Sequence, residues 1–169
     1  MESKILRLGI IILILMISGC KKNDSFLFDE PVNIIEKKIT FPPSFAEIKS
    51  TKILIIKNYT GCDCELKDFS SWATIKSTVE ENYPNVVFEV VILNLIGENK
   101  DSIISKIPVF KENIMIDDSL WFARNNILSN NANLNTYILN KHNRVKYIGN
   151  PILRKKEYLT FINELKKYE

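Results

Sequence analysis

Two cysteines one residue apart, Cys62 and Cys64, follow an apolar run, Ile53–Ile56, and a glycine, Gly61, and lead into a sequence with helical periodicity. A thiolate is a strong nucleophile, and two thiols this close can close into a disulfide and open again. Backbone N–H groups at a helix start stabilise a thiolate and lower its pKa. The chemistry on offer is thiol–disulfide exchange, and any active site is expected within Lys52–Trp72.

Spacing constrains how such a pair could meet. Helix geometry puts residues i and i+2 about 5.4 Å apart between Cα atoms, but with side chains about 160° apart around the axis. The distance suits a disulfide and the direction does not. Cys62 is therefore expected in the turn, outside the helix, with Gly61 supplying backbone freedom. A ring closed over one residue predicts strain, hence a labile pair at a relatively oxidising potential. A structural pair without redox work is the plainer alternative. A metal would need more ligands than two sulfurs and the single histidine, His142, so neither metal nor other cofactor is expected.

Neighbouring charges matter to a thiolate. Asp63 would oppose its formation, though a capping role at the helix start is the expectation. Lys67, about one turn after Cys64, could offset that charge but is expected to face solvent. His142 falls in a predicted hairpin turn and reads as exposed. Asp117 and Asp118 read as capping residues at a strand-to-helix turn. Phe69 and Trp72 read as core. No Gly-rich phosphate loop and no nucleophile–base signature is present.

The elements that must hold the cysteines follow from periodicity. Ile53–Ile56 is short and apolar enough for a buried strand. Leu66, Phe69 and Ala73 fall at i, i+3, i+7, and Trp72, Ile75 and Val79 repeat that spacing, which predicts a helix over Glu65–Asn82 stopped by Tyr83–Pro84. Val86–Leu93, VVFEVVIL, has the near-continuous apolarity of a buried parallel strand. A short helix is expected at Asp101–Lys106, a strand at Asn113–Ile116 and a helix at Leu120–Leu128, with Ser129–Asn133 as a turn. Thr136–Leu139 and Val145–Ile148, joined by Asn140–Arg144, suit an antiparallel hairpin. Gly149–Asn150–Pro151 ends it, and Lys156–Tyr168 is the last helix, with Tyr158, Phe161, Ile162 and Leu165 on one side. Upstream, Val32–Phe41 could add an edge strand before Pro42–Pro43 turns the chain.

The chain has 169 residues, of which 46% are hydrophobic, enough for one domain with a real core. A formal charge of +3, with no basic stripe and interleaved aromatics, argues against nucleic acid as a partner. The N-terminus says more. Lys4 and Arg7 precede an apolar segment, Leu8 to Ile17, too short to span a bilayer but fitting a secretory signal. Ile17-Ser18-Gly19-Cys20 resembles a bacterial lipobox. That resemblance implies a signal peptide over 1–19, lipidation of Cys20, and a lipid-anchored protein of the bacterial cell envelope, its domain outside the cytoplasm. Residues 20–50 would form the lipidated cysteine, tether and N-terminal extension, and 51–169 the domain. With Cys20 lipidated, Cys62 and Cys64 are the remaining thiols, in a compartment where disulfides persist.

The element order, with the cysteine pair after the first core strand and a late hairpin plus C-terminal helix, resembles a thioredoxin-like fold. That is an α/β architecture, a central mixed sheet flanked by helices, here with a βα insertion before the hairpin. The chain looks similar to thioredoxin-like lipoproteins related to the TlpA and ResA group. The likeness runs from about Lys52 to the C-terminus and is carried by Thr60-Gly61-Cys62 with Cys64, by Trp72, and by NTYILNKHNRVKYIGN, Asn135–Asn150, with Pro151. It implies a thiol–disulfide oxidoreductase in which Cys62 attacks as thiolate and Cys64 resolves, with envelope proteins bearing thiols or disulfides as partners.

The pattern departs from that family at three places. One residue separates the cysteines where two are usual. Thr60–Gly61 stands before Cys62 where a tryptophan is common. A cis-proline generally precedes the strand matching Thr136–Leu139, yet Asn135 stands there and no proline lies between Pro108 and Pro151. These departures fit the alternative, a non-catalytic thioredoxin-fold binding or structural lipoprotein.

Overall fold

Continuous apolar runs have nowhere to expose a face, so KILIIKNY with Ile53–Ile56 and VFEVVILN with Val90–Leu93 belong in the middle of a sheet covered on both sides. The structure, a computed structural model, describes residues 28–29, 31–43, 45, 49–131 and 133–168. The expected signal peptide, Cys20 and the tether up to Leu27 lie outside the described residues. In chain order the elements are β1 (Phe28–Asp29), α1 (Pro31–Ile34), β2 (Lys52–Tyr59), a 3-10 turn (Asp63–Leu66), α2 (Phe69–Asn82), β3 (Val87–Asn94), α3 (Lys100–Ser105), β4 (Ile114–Asp117), α4 (Trp121–Asn125), β5 (Leu128–Ser129), β6 (Thr136–Leu139), β7 (Val145–Gly149) and α5 (Lys155–Leu165). The molecule is α/β, with a five-stranded mixed sheet in the order β4-β3-β2-β6-β7. β2, β3 and β4 run parallel, β6 is antiparallel to β2, and β6 and β7 form the hairpin.

Alternation along the strands sorts side chains between two cores. Ile53, Ile55 and Tyr59 with Phe88, Val90 and Ile92 face α2 and α5, meeting Phe69, Trp72, Val79, Phe161 and Leu165. Trp72 is fully buried, its ring edge-on to Phe88 and Phe161 with centroids 6.3 and 6.4 Å away. Leu54, Ile56, Val91 and Leu93 face the other way, against Phe122 of α4, Leu128 of β5, and Ile34 and Ile39 from the N-terminal segment. Among the described residues no helix is long and apolar enough to cross a membrane.

Three expectations are corrected. Val32–Phe41 adds no edge strand. Pro31 is suited to a helix start and Pro31–Ile34 is helical, Glu36 takes a positive φ of 68°, and Lys38 makes a lone bridge to Arg144. The segment lies across the second face, burying Ile34 and Ile39 and exchanging two hydrogen bonds with Asn126: Thr40 N–H donates to its Oδ1 at 2.6 Å, and its Nδ2 donates to the Thr40 carbonyl at 2.9 Å. The helix expected over Leu120–Leu128 shrinks to Trp121–Asn125, because Leu120 is left-handed (φ 56°) and Asn126 is extended. Leu128–Ser129 instead pairs with β1. The helix expected from Glu65 begins as a 3-10 turn and becomes α-helical only at Phe69. The capping role read for Asp117 holds: its Oδ1 accepts from Trp121 N–H at 3.0 Å and its Oδ2 from Phe122 N–H at 2.7 Å.

The second face also buries charge. Lys52, 1% exposed, donates from Nζ to Asn143 Oδ1 at 2.9 Å. Glu89, also 1% exposed and opposite Leu54 in register, has no hydrogen-bond partner for either carboxylate oxygen among the described residues. Burial pushes its pKa up to about 7, against the lowering influence of Lys52. A carboxyl whose pKa is raised by folding stabilises the fold below its unfolded pKa and loses that contribution as pH rises through the folded value. Glu89→Gln is expected to match the natural chain near pH 5 and to exceed its stability by up to about 3 kcal/mol at pH 8. Urea denaturation at the two pH values reads this; a gap independent of pH would contradict it.

Candidate functional site

β2 ends at Tyr59, and the chain must turn before a helix can begin. Gly61 makes that turn with a φ of +99°, a region L side chains rarely adopt, and a Cβ there would sit 2.9 Å from Ile96 Cδ1. Cys62 follows in extended conformation, φ −92° and ψ 120°, as the cap of the 3-10 turn that carries Cys64. Because Cys62 stays outside the helical turn, the two side chains can meet. Cys62 and Cys64 are joined as a disulfide with Cα atoms 5.1 Å apart, and both residues are exposed.

Two sets of polar contacts fix this loop. On one side Glu65 clamps Thr60, its carboxylate accepting from the Thr60 backbone N–H and hydroxyl, both at 2.7 Å. Within the loop the Glu65 N–H donates to the Cys62 carbonyl at 3.0 Å, and the Cys64 N–H points at Cys62 Sγ from 3.3 Å. On the other side Asp63 pairs with Lys106 at 2.9 Å. Lys106 also donates to Tyr59 Oη at 2.8 Å and to Glu98 Oε1 at 2.9 Å, and its ammonium lies 5.2 Å from the Tyr59 ring centre. Glu98 accepts from the Tyr59 hydroxyl at 2.7 Å and the Ser102 hydroxyl at 2.6 Å.

These bonds set the charges. The hydroxyl of Ser102, then those of Tyr59 and the Lys106 ammonium, hold the Glu98 carboxyl down to about 2. Bonds to Tyr59, Glu98 and Asp63 push the Lys106 ammonium up, so it keeps its proton throughout the physiological range. For the Tyr59 phenol the Lys106 bond pulls downward, but the Glu98 bond, burial and the Glu98 charge outweigh it and the pKa rises.

A groove of about 410 Å³ opens beside the disulfide, with Ile56, Leu93 and Tyr137 among its lining and Cys64, Leu95, Leu134 and Asn135 around it. Cys64, rather than Cys62, lines it. Lys57 and Asp68, paired at 2.7 Å, bridge β2 to the start of α2 at its edge. Asn135 is on the groove where a cis-proline was the family expectation, its carbonyl accepting from Ile56 N–H at 2.8 Å, and no peptide among the described residues is cis.

Of the residues singled out from sequence, Cys62 and Cys64 come together as expected, and Phe69 and Trp72 are core. Asp63 does not cap the helix; Cys62 occupies the cap, and Asp63 reaches outward to Lys106. Lys67 is exposed. His142 is exposed in the β6–β7 turn, beside the start of β2 and so at the far end of that strand from the cysteines. Cys20 lies outside the described residues. No spacing motif links Tyr59, Glu98 and Lys106, which come from a strand end, a loop and a helix C-cap. Among the described residues no cluster of three or more His, Cys, Asp or Glu is placed to hold a metal. No protein-family model matches the chain, and no curated protein matches it.

The turn at Gly61 is the loop's most specific backbone demand. Gly61→Ala should cost about 1–2 kcal/mol in chemical denaturation, and adding Ile96→Ala should recover only part, because the strain resides in φ as well as in the close approach. Full recovery in the double variant would show that crowding alone is at stake.

Proposed function

We propose that this chain is a membrane-anchored thiol–disulfide oxidoreductase of the bacterial envelope, built on a thioredoxin-like fold akin to the TlpA and ResA group. The observation that carries the reading is an exposed Cys62–Cys64 disulfide at the end of a central buried strand, with Cys64 on the lining of a groove of about 410 Å³. The sheet order supports it, since parallel β2 and β3 with an antiparallel β6–β7 hairpin and a closing helix is the order that the family resemblance implies. The lipobox-like Ile17–Cys20 supports anchoring through lipid on Cys20, with envelope proteins bearing thiols or disulfides as partners.

In the reducing direction, Cys62 as thiolate attacks one sulfur of a partner disulfide. A Cys62–partner bond forms, the partner's S–S bond breaks, and the departing thiolate takes up a proton. Cys64, losing its proton, then attacks Cys62 Sγ, forming the Cys62–Cys64 bond and releasing the second partner thiolate. Two electrons pass from the chain's dithiol to the partner. The Cys64 N–H near Cys62 Sγ favours Cys62 as the thiolate, since a hydrogen bond to the charged form lowers its pKa.

Two observations favour a second reading. Asn135 lines the groove where the family's proline would stand, and a single residue separates the cysteines, as in a non-catalytic binding or structural lipoprotein of the same fold. Reduction of a protein disulfide such as that of insulin, driven by dithiothreitol, separates the two. The full-length protein should accelerate it at least tenfold over a Cys62→Ser/Cys64→Ser control, and Cys64→Ser alone should accumulate mixed disulfides. No acceleration, with the two proteins equally stable, would give the case to the binding lipoprotein.

A further inference from the structure

We propose that Lys106 is a positioning residue for the thiol–disulfide reaction, acting on both sulfurs through Asp63. This deepens the preceding reading and rests on it for its catalytic meaning. Asp63 is the residue between the cysteines, and an unneutralised carboxylate there would disfavour the thiolate that exchange requires. Its charge is met by an ammonium 43 residues away in sequence, from the C-cap of α3.

That ammonium is held independently of the disulfide. Tyr59, fully buried at the end of β2, and Glu98 both bind it. Glu98 is itself fixed by its backbone: its N–H donates to Asn94 Oδ1 at 3.2 Å, and Asn94 Nδ2 donates to its carbonyl at 2.8 Å. The ends of β2 and β3 and the helix α3 thus set Lys106 in place before any contact with the cysteine loop. The Asp63–Lys106 pair and the Thr60–Glu65 clamp hold the loop through contacts that involve neither sulfur. The other charges around the loop are already matched, Glu65 by the two Thr60 donors and Asp68 by Lys57. Lys67, one turn on, is exposed and serves no such pair among the described residues.

The test is the pH dependence of iodoacetamide alkylation in reduced full-length protein, which titrates the more acidic thiol and needs no redox partner. Lys106→Met should raise the midpoint by about half a unit, slowing alkylation at neutral pH about threefold. Lys106→Arg should keep the natural midpoint, and Asp63→Asn/Lys106→Met should restore it. Should Lys106→Met fail to fold, Asp63→Asn alone, at a residue with an exposed side chain, should lower the midpoint. A Lys106→Met midpoint equal to the natural one, a double variant that stays shifted, or an Asp63→Asn midpoint that does not move would each overturn the proposal. The expected shifts without insulin reduction would leave the charge coupling standing and sink the oxidoreductase reading. Insulin reduction without the shifts would do the reverse.

Discussion

A disulfide across a single residue cannot form inside a helix, because residues i and i+2 point to opposite sides of the axis. That constraint governs how the chain leaves its central strand. Cys62 must be extended, a left-handed residue must come before it, and α-helix must wait until Phe69. The 3-10 turn Asp63–Leu66 is the compromise, tight enough to bring Cys64 back to Cys62 while Leu66 stays buried in the core. Gly61, Thr60 and Glu65 are consequences of the same demand, one supplying the turn and two closing it.

The two ends of β2 treat charge in opposite ways. At its start Lys52 and Glu89 are taken out of water, and Glu89 bears a desolvation penalty that no hydrogen bond among the described residues offsets. At its end Tyr59, Glu98, Lys106 and Asp63 form a network that still touches solvent, in which every charge has a partner of opposite sign or a hydroxyl donor. Such partly exposed pairs contribute little to stability. Their value is orientation: the network fixes where Asp63, the residue between the two cysteines, points.

The strands of the sheet were legible because buried parallel strands and a hairpin leave plain marks: near-continuous apolarity in VVFEVVIL, and a turn of Asn140–Arg144 between two β-rich runs. The position of Cys62 outside the helix was legible for a geometric reason that needs no fold at all. What sequence could not show were outcomes decided by distant partners. Leu120–Leu128 has helical spacing, but the Asn126–Thr40 bonds end the helix early, across 86 residues. Val32–Phe41 has strand-like composition, but it buries Ile34 and Ile39 across a face already closed by α4. Asp63 looked like a cap because the cation that claims it, Lys106, lies beyond any local pattern.

The central claim is that Cys62 and Cys64 exchange electrons with partners and do not merely staple a turn. The measurement that bears on it most directly is the reduction potential of this pair in the folded, full-length protein, equilibrated with glutathione buffers, alkylated and weighed. The account predicts reversible opening at a potential well above the roughly −300 mV below which structural disulfides sit. A disulfide that resists reduction while the protein stays folded, or two thiols that never pair, would contradict it.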